Sequence, residues 1–127
     1  MKINIVYGPP ASGKTTYVLN NKTENTLIYD FDKLMRDISG LEIYERNENI
    51  ISYLVDFREQ IVKSLKSETR FDEAWLIISY PKIEFVQMLD GLSIDYHLMN
   101  TDKETCKQRI DVDNDRQDKE LWKSLID

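Results

Sequence analysis

Residues 8–15 read Gly8-Pro9-Pro10-Ala11-Ser12-Gly13-Lys14-Thr15, two glycines separated by four residues and closed by Lys-Thr. The run fits G-x-x-x-x-G-K-[ST], the phosphate-binding P-loop pattern. Its surroundings are those the pattern requires. Ile3, Ile5 and Val6 form a β-branched run upstream that reads as a buried strand, and Thr16-Tyr17-Val18-Leu19 downstream can begin a helix. Gly8 and Gly13 allow a tight turn that brings backbone amides close to an anion. The helix opening near Lys14 adds the positive end of its dipole. Residues 8–16, with Pro9, Pro10, Ala11 and Ser12 between the glycines, are therefore the expected cradle for a nucleoside triphosphate. Lys14 would reach the β- and γ-phosphates, Thr15 would offer its hydroxyl to Mg²⁺, and Thr16 would meet the α-phosphate.

A chain of 127 residues suggests one domain, 1–127, with one core. With 41% hydrophobic and 31% charged residues it reads as a soluble globular protein, and no apolar run approaches the roughly 20 residues of a membrane span. Met1-Lys2 leads straight into the first strand, so no secretion leader is expected. Cys106 is the single cysteine, which excludes an internal disulfide and a thiolate zinc cluster and suits a reducing cytoplasm. The net charge of −6 argues against broad adhesion to nucleic acid, though not against a small basic pocket for one nucleotide or one strand end. Oligomeric state is not legible in the sequence.

Strands are expected at about 2–7, 26–29, 74–78 and 94–99. Helices are expected at about 14–21, 33–38, 47–66, from Pro81 to a stop at Gly91, from a cap at Thr101 through Cys106 and Arg109, and at 119–126. In the long helix Ile50, Leu54, Phe57, Ile61 and Leu65 repeat at helical spacing, broadened by Tyr53 and Val62, and read as core packing. Thr101 with Glu104 three residues on resembles a capping box. Alternation of strands and helices implies an α/β protein: a three-layer P-loop NTPase fold, with a parallel sheet of about four strands and helices on both faces. Right-handed crossovers put every strand's C-terminal end on one edge, so the 8–16 loop, Asp30, Asp32, Ser79 and Asn100 should converge there.

Asp30 and Asp32 flank the end of the second strand. One could take a proton from an acceptor hydroxyl, for which Asp32 is preferred, and the other could hold a metal, or Asp30 could cap the next helix. Many phosphate-loop proteins end a strand in an acid that helps hold Mg²⁺. Here the third strand ends at Ser79, with no acid until Glu84, so Ser79 could touch the metal's water shell or Asp30 could supply the carboxylate. Arg109 and Arg116 flank the acidic run 111–115; on a lid over about 110–118 they would neutralise charge on a transferring phosphoryl group, while surface ion pairing is the plainer alternative. His97 and Cys106 read as structural.

Four segments, Gly8–Thr16, Ile28-Tyr29-Asp30-Phe31-Asp32-Lys33-Leu34, Tyr96–Asp102 and Cys106–Arg109 through Arg116, together resemble a small P-loop kinase, closest to the bacteriophage polynucleotide kinase domain and related nucleotide kinases. The resemblance implies ATP as donor, Mg²⁺, and transfer of the γ-phosphoryl to a nucleoside, nucleotide or polynucleotide 5′-hydroxyl. It places the catalytic aspartate on Asp32 and lid arginines at Arg109 and Arg116. The alternative is an AAA-like or regulatory protein that binds ATP and hydrolyses it slowly or not at all.

Overall fold

The run Ala74–Ile78 is apolar at every position, which suits a strand covered on both faces, and the chain places it at the centre of a sheet. In the structure, a computed structural model describing residues 1–40, 47–68, 70–79, 83–112 and 119–124, all of Glu73–Ile78 is buried. The strands are β1 (Lys2–Tyr7), β2 (Thr26–Asp30), β3 (Glu73–Ile78) and β4 (Ile94–Leu98). They form one four-stranded sheet in the order β2-β3-β1-β4, and every neighbouring pair is parallel. The helices are α1 (Lys14–Asn21), α2 (Phe31–Ser39), α3 (Glu48–Leu65), α4 (Ile83–Met88), α5 (Lys103–Val112) and α6 (Lys119–Ser124).

Strand side chains alternate between faces, so each strand feeds two core layers. Ile3, Ile5, Leu76 and Ile78 pack with Ile61, Val62 and Leu65 of α3 and with Phe85 of α4. On the opposite face Val6, Trp75 and Ile77 pack with Val18 of α1. The α/β class, the parallel sheet of four strands and helices on both faces are thus as the alternation of elements implies.

Three local expectations are revised. Helix α2 begins at Phe31, directly after β2, which puts Asp32 in its first turn. In α3 the inward stripe runs through Leu54, Ile61, Val62 and Leu65, whereas Tyr53 and Phe57 are 75% and 48% exposed. The cap of α5 is Asp102, whose carboxylate accepts from the Thr105 amide at 2.8 Å and the Thr105 hydroxyl at 2.7 Å. These bonds hold that carboxyl below its ordinary range and leave the Thr101 hydroxyl for another partner. Residues 110–112, the first of the expected lid, are the last of α5, and residues 113–118 lie outside the described residues.

Two polar contacts tie neighbouring elements together. The Tyr29 hydroxyl donates to the Leu54 carbonyl at 2.8 Å, tying β2 to α3; burial pushes its pKa up to about 12, against the opposing charge of Arg58. At the sheet's other end the Glu73 carboxylate accepts from the Thr23 amide at 2.7 Å and the Thr26 hydroxyl at 3.1 Å. Burial alone would raise the Glu73 pKa, but the bonds it accepts outweigh burial and hold it below its ordinary value. A carboxyl with a lowered folded pKa stabilises the fold fully above its unfolded value, and that stabilisation is lost as pH falls through the folded one. Glu73→Gln is therefore expected to cost about 1 kcal/mol at pH 7. Its deficit against the parent should shrink as urea denaturation is repeated toward pH 3; a deficit constant with pH would show that the charge plays no part.

Candidate functional site

The loop between β1 and α1 is built from backbone geometry that side chains resist. Gly8 has φ 152° and Gly13 has φ 94°. A Cβ on Gly8 would lie 3.0 Å from the Met99 Cβ and 3.1 Å from the Ser12 Oγ, so the loop's close fit at this point requires glycine. Ala11 also takes positive φ, 61°, an uncommon conformation for a residue with a side chain. Gly13 stands at the N-cap of α1 with no side chain to satisfy the helix's first amides.

Neighbouring elements fasten this loop. The Gly8 amide donates to the Ser79 carbonyl at 3.1 Å, joining the loop to the end of β3, and the Met99 amide donates to the Tyr7 carbonyl at 2.9 Å. Thr101, released from capping, donates its hydroxyl to the Ser12 carbonyl at 2.8 Å. Arg109 on α5 donates from Nη1 to the Ala11 carbonyl at 3.0 Å. Below it, buried Cys106 and Ile110 pack against Ala11. Burial pushes the Cys106 thiol up, so it stays protonated and serves as packing, as expected from sequence.

Lys14 folds back over the loop, its ammonium donating to the Gly8 carbonyl at 2.6 Å and the Pro9 carbonyl at 3.2 Å. The Thr15 hydroxyl donates to Asp30 Oδ2 at 2.9 Å. Asp30 is 8% exposed, and its carboxylate bonds Thr15 where helix capping had been an alternative. A threonine hydroxyl beside a buried carboxylate is an all-oxygen pair that suits a hard divalent cation, which takes one or two protein ligands and fills the rest of its shell from water and phosphate. Ser12 is buried with its hydroxyl lacking a hydrogen-bond partner, while Thr16 is exposed.

A cleft of about 430 Å³ opens beside this loop at the C-terminal edge of the sheet. Lys14, Asp30, Asp32 and Ser79 line it, so four of the residues expected to converge do so. Asn100 is exposed, and its neighbours Met99 and Thr101, not Asn100 itself, bond the loop. Arg116 lies outside the described residues. Sequence reasoning missed Arg58, Phe31 and Phe85, which also line the cleft. The signal for Arg58 was present: it falls four residues after Leu54 and three before Ile61, a charge within an inward stripe.

His97 is structural. One ring nitrogen lies 3.0 Å from Asn4 Oδ1 and the other 3.0 Å from the Tyr17 hydroxyl, bridging β1, β4 and α1.

No protein-family model matches the chain, and no curated protein matches it.

Proposed function

We propose that the chain is a single P-loop nucleotide-binding domain that holds Mg·ATP at residues 8–16 and transfers the γ-phosphoryl to an acceptor bound in the adjoining cleft. The reading rests above all on two carboxylates with different surroundings beside one lysine-bearing loop. Asp30 is engaged with Thr15, and Asp32 lines the cleft where an acceptor would sit. Thr15 and Asp30 would hold Mg²⁺, which would neutralise phosphate charge when bound. Lys14 would exchange its loop carbonyls for phosphate oxygens, which its three donors and flexible stem allow. Asp32 would accept the proton of an attacking hydroxyl; the new P–O bond forms to that oxygen as the bond to ADP breaks, and ADP leaves with the electron pair. Arg109, already anchored on the loop at Ala11, would balance charge on the transferring group, and Arg116 would join it from a lid over about 110–118.

One observation favours a second reading. Ser79 stands at the end of β3, where an acid that organises metal and water is usual in ATP-hydrolysing proteins, and this suits a binding or regulatory protein. The deciding experiment offers γ-labelled ATP to nucleosides, nucleotides and 5′-hydroxyl oligonucleotides. Label in any acceptor is expected; ATP binding with no labelled acceptor would overturn the kinase reading and favour the regulatory one.

A further inference from the structure

Arg58 lies on the cleft side of α3, and its setting is unusual. Its guanidinium carbon stands 4.5 Å over the Phe85 ring. Its Nε is buried with no hydrogen-bond partner, and none of the ion pairs among the described residues includes it. Stacking fixes the plane of the guanidinium while using none of its five N–H donors. A guanidinium at the wall of a cleft, without an ion pair among the described residues, is suited to an oxyanion that accepts from its N–H groups. The cleft that Arg58 lines also holds Lys14 and Asp32, the groups assigned above to the donor phosphates and the acceptor hydroxyl.

We propose that Arg58 is a specificity residue that binds a single phosphate carried by the acceptor, so that the acceptor is a mononucleotide, not a free nucleoside or a long strand. The inference rests on the phosphotransferase reading for the word acceptor; the anion site itself rests on Arg58. The planar fork matches a phosphate's oxygens, and the Phe31 and Phe85 rings supply apolar wall for the remainder of a nucleotide. The volume of about 430 Å³ falls within the roughly 300–1,000 Å³ usual for small-ligand sites. The charge of the lining restricts the ligand further. Among the described residues the lining sets Asp30, Asp32, Glu59 and Glu84 against Lys14 and Arg58, an acidic balance that repels a polyanion running through the cleft.

Calorimetry without ATP tests this on the full chain, using adenosine, its 3′- and 5′-monophosphates and a 5′-hydroxyl dodecamer. At least one monophosphate is expected to bind about tenfold or more tighter than adenosine, with the dodecamer no tighter than that monophosphate. Arg58→Gln should bring nucleotide and nucleoside within about twofold, and Arg58→Lys, which keeps the charge and loses the fork, should fall between. Thermal melts of both variants check folding; if Arg58→Gln does not fold, Arg58→Lys and the nucleoside comparison still decide. Equal binding of nucleoside and monophosphates, or an advantage unchanged in Arg58→Lys and Arg58→Gln, would overturn the proposal. Failure of label transfer to every acceptor would instead remove the phosphotransferase reading, with the calorimetric result for Arg58 standing on its own.

Discussion

Lys14→Ala is expected to weaken ATP binding by on the order of 100-fold, read by calorimetry in the presence of Mg²⁺, with little change in the melting temperature of the ligand-free protein. The two quantities separate because Lys14 has different partners in the two states. Without nucleotide its ammonium bonds two half-buried loop carbonyls, at Gly8 and Pro9, and water can replace the lost donor there. Against the β- and γ-phosphates the same ammonium would make charge-assisted bonds of about 1.5–3 kcal/mol each, and losing about 3 kcal/mol corresponds to roughly 100-fold in affinity. The loop itself should survive the substitution, since Ser79, Thr101 and Arg109 hold it through its backbone and the two glycines carry its turns. ATP bound equally well by Lys14→Ala would remove the phosphate-cradle assignment, and the roles given to Thr15, Asp30 and Arg109 would go with it.

What was legible in the sequence follows from what is local. The strand, glycine turn and helix start around residues 8–16 are specified by adjacent residues, so the motif located that junction, and apolar runs located all four strands within a residue or two. The hydrogen bond from Thr15 to Asp30 was not among the roles read for that carboxylate, which were proton acceptor, metal ligand and helix cap; the neighbour decides, and the neighbour comes from helix α1. The order β2-β3-β1-β4 could not be read, since parallel strands meet through crossovers that leave no mark on either strand. Arg58 was overlooked for a different reason. Tracing the α3 stripe through Phe57 is one residue, about 100° of helix rotation, away from tracing it through Arg58, and hydrophobicity alone selects the phenylalanine. The fold selects the arginine, because its stem can pass along apolar surface while its head sits in the cleft. Thr101 was misread in the same way: either Thr101 or Asp102 satisfies a capping pattern, and only the position of the Ser12 carbonyl assigns the threonine to the loop.

Asp32→Asn separates the two carboxylates of the site. If Asp32 accepts the proton of an attacking hydroxyl, its amide should transfer label about 10²–10⁴-fold more slowly in single turnovers, the usual worth of a general base. ATP affinity should stay within about twofold, because the Thr15–Asp30 pair that would hold the metal is untouched. Asp30→Asn should behave in the opposite sense. Its buried oxygen still accepts from Thr15, but without negative charge it binds a divalent cation poorly, so Mg²⁺ dependence should shift to higher concentration while the fold persists. A loss of less than about tenfold in Asp32→Asn would mean that the accepting oxygen arrives already deprotonated, as on a phosphate, since only then does proton removal contribute nothing to the barrier. In that case Arg58 and Lys14 would be holding the two reacting phosphates, and orientation, not base catalysis, would carry the rate.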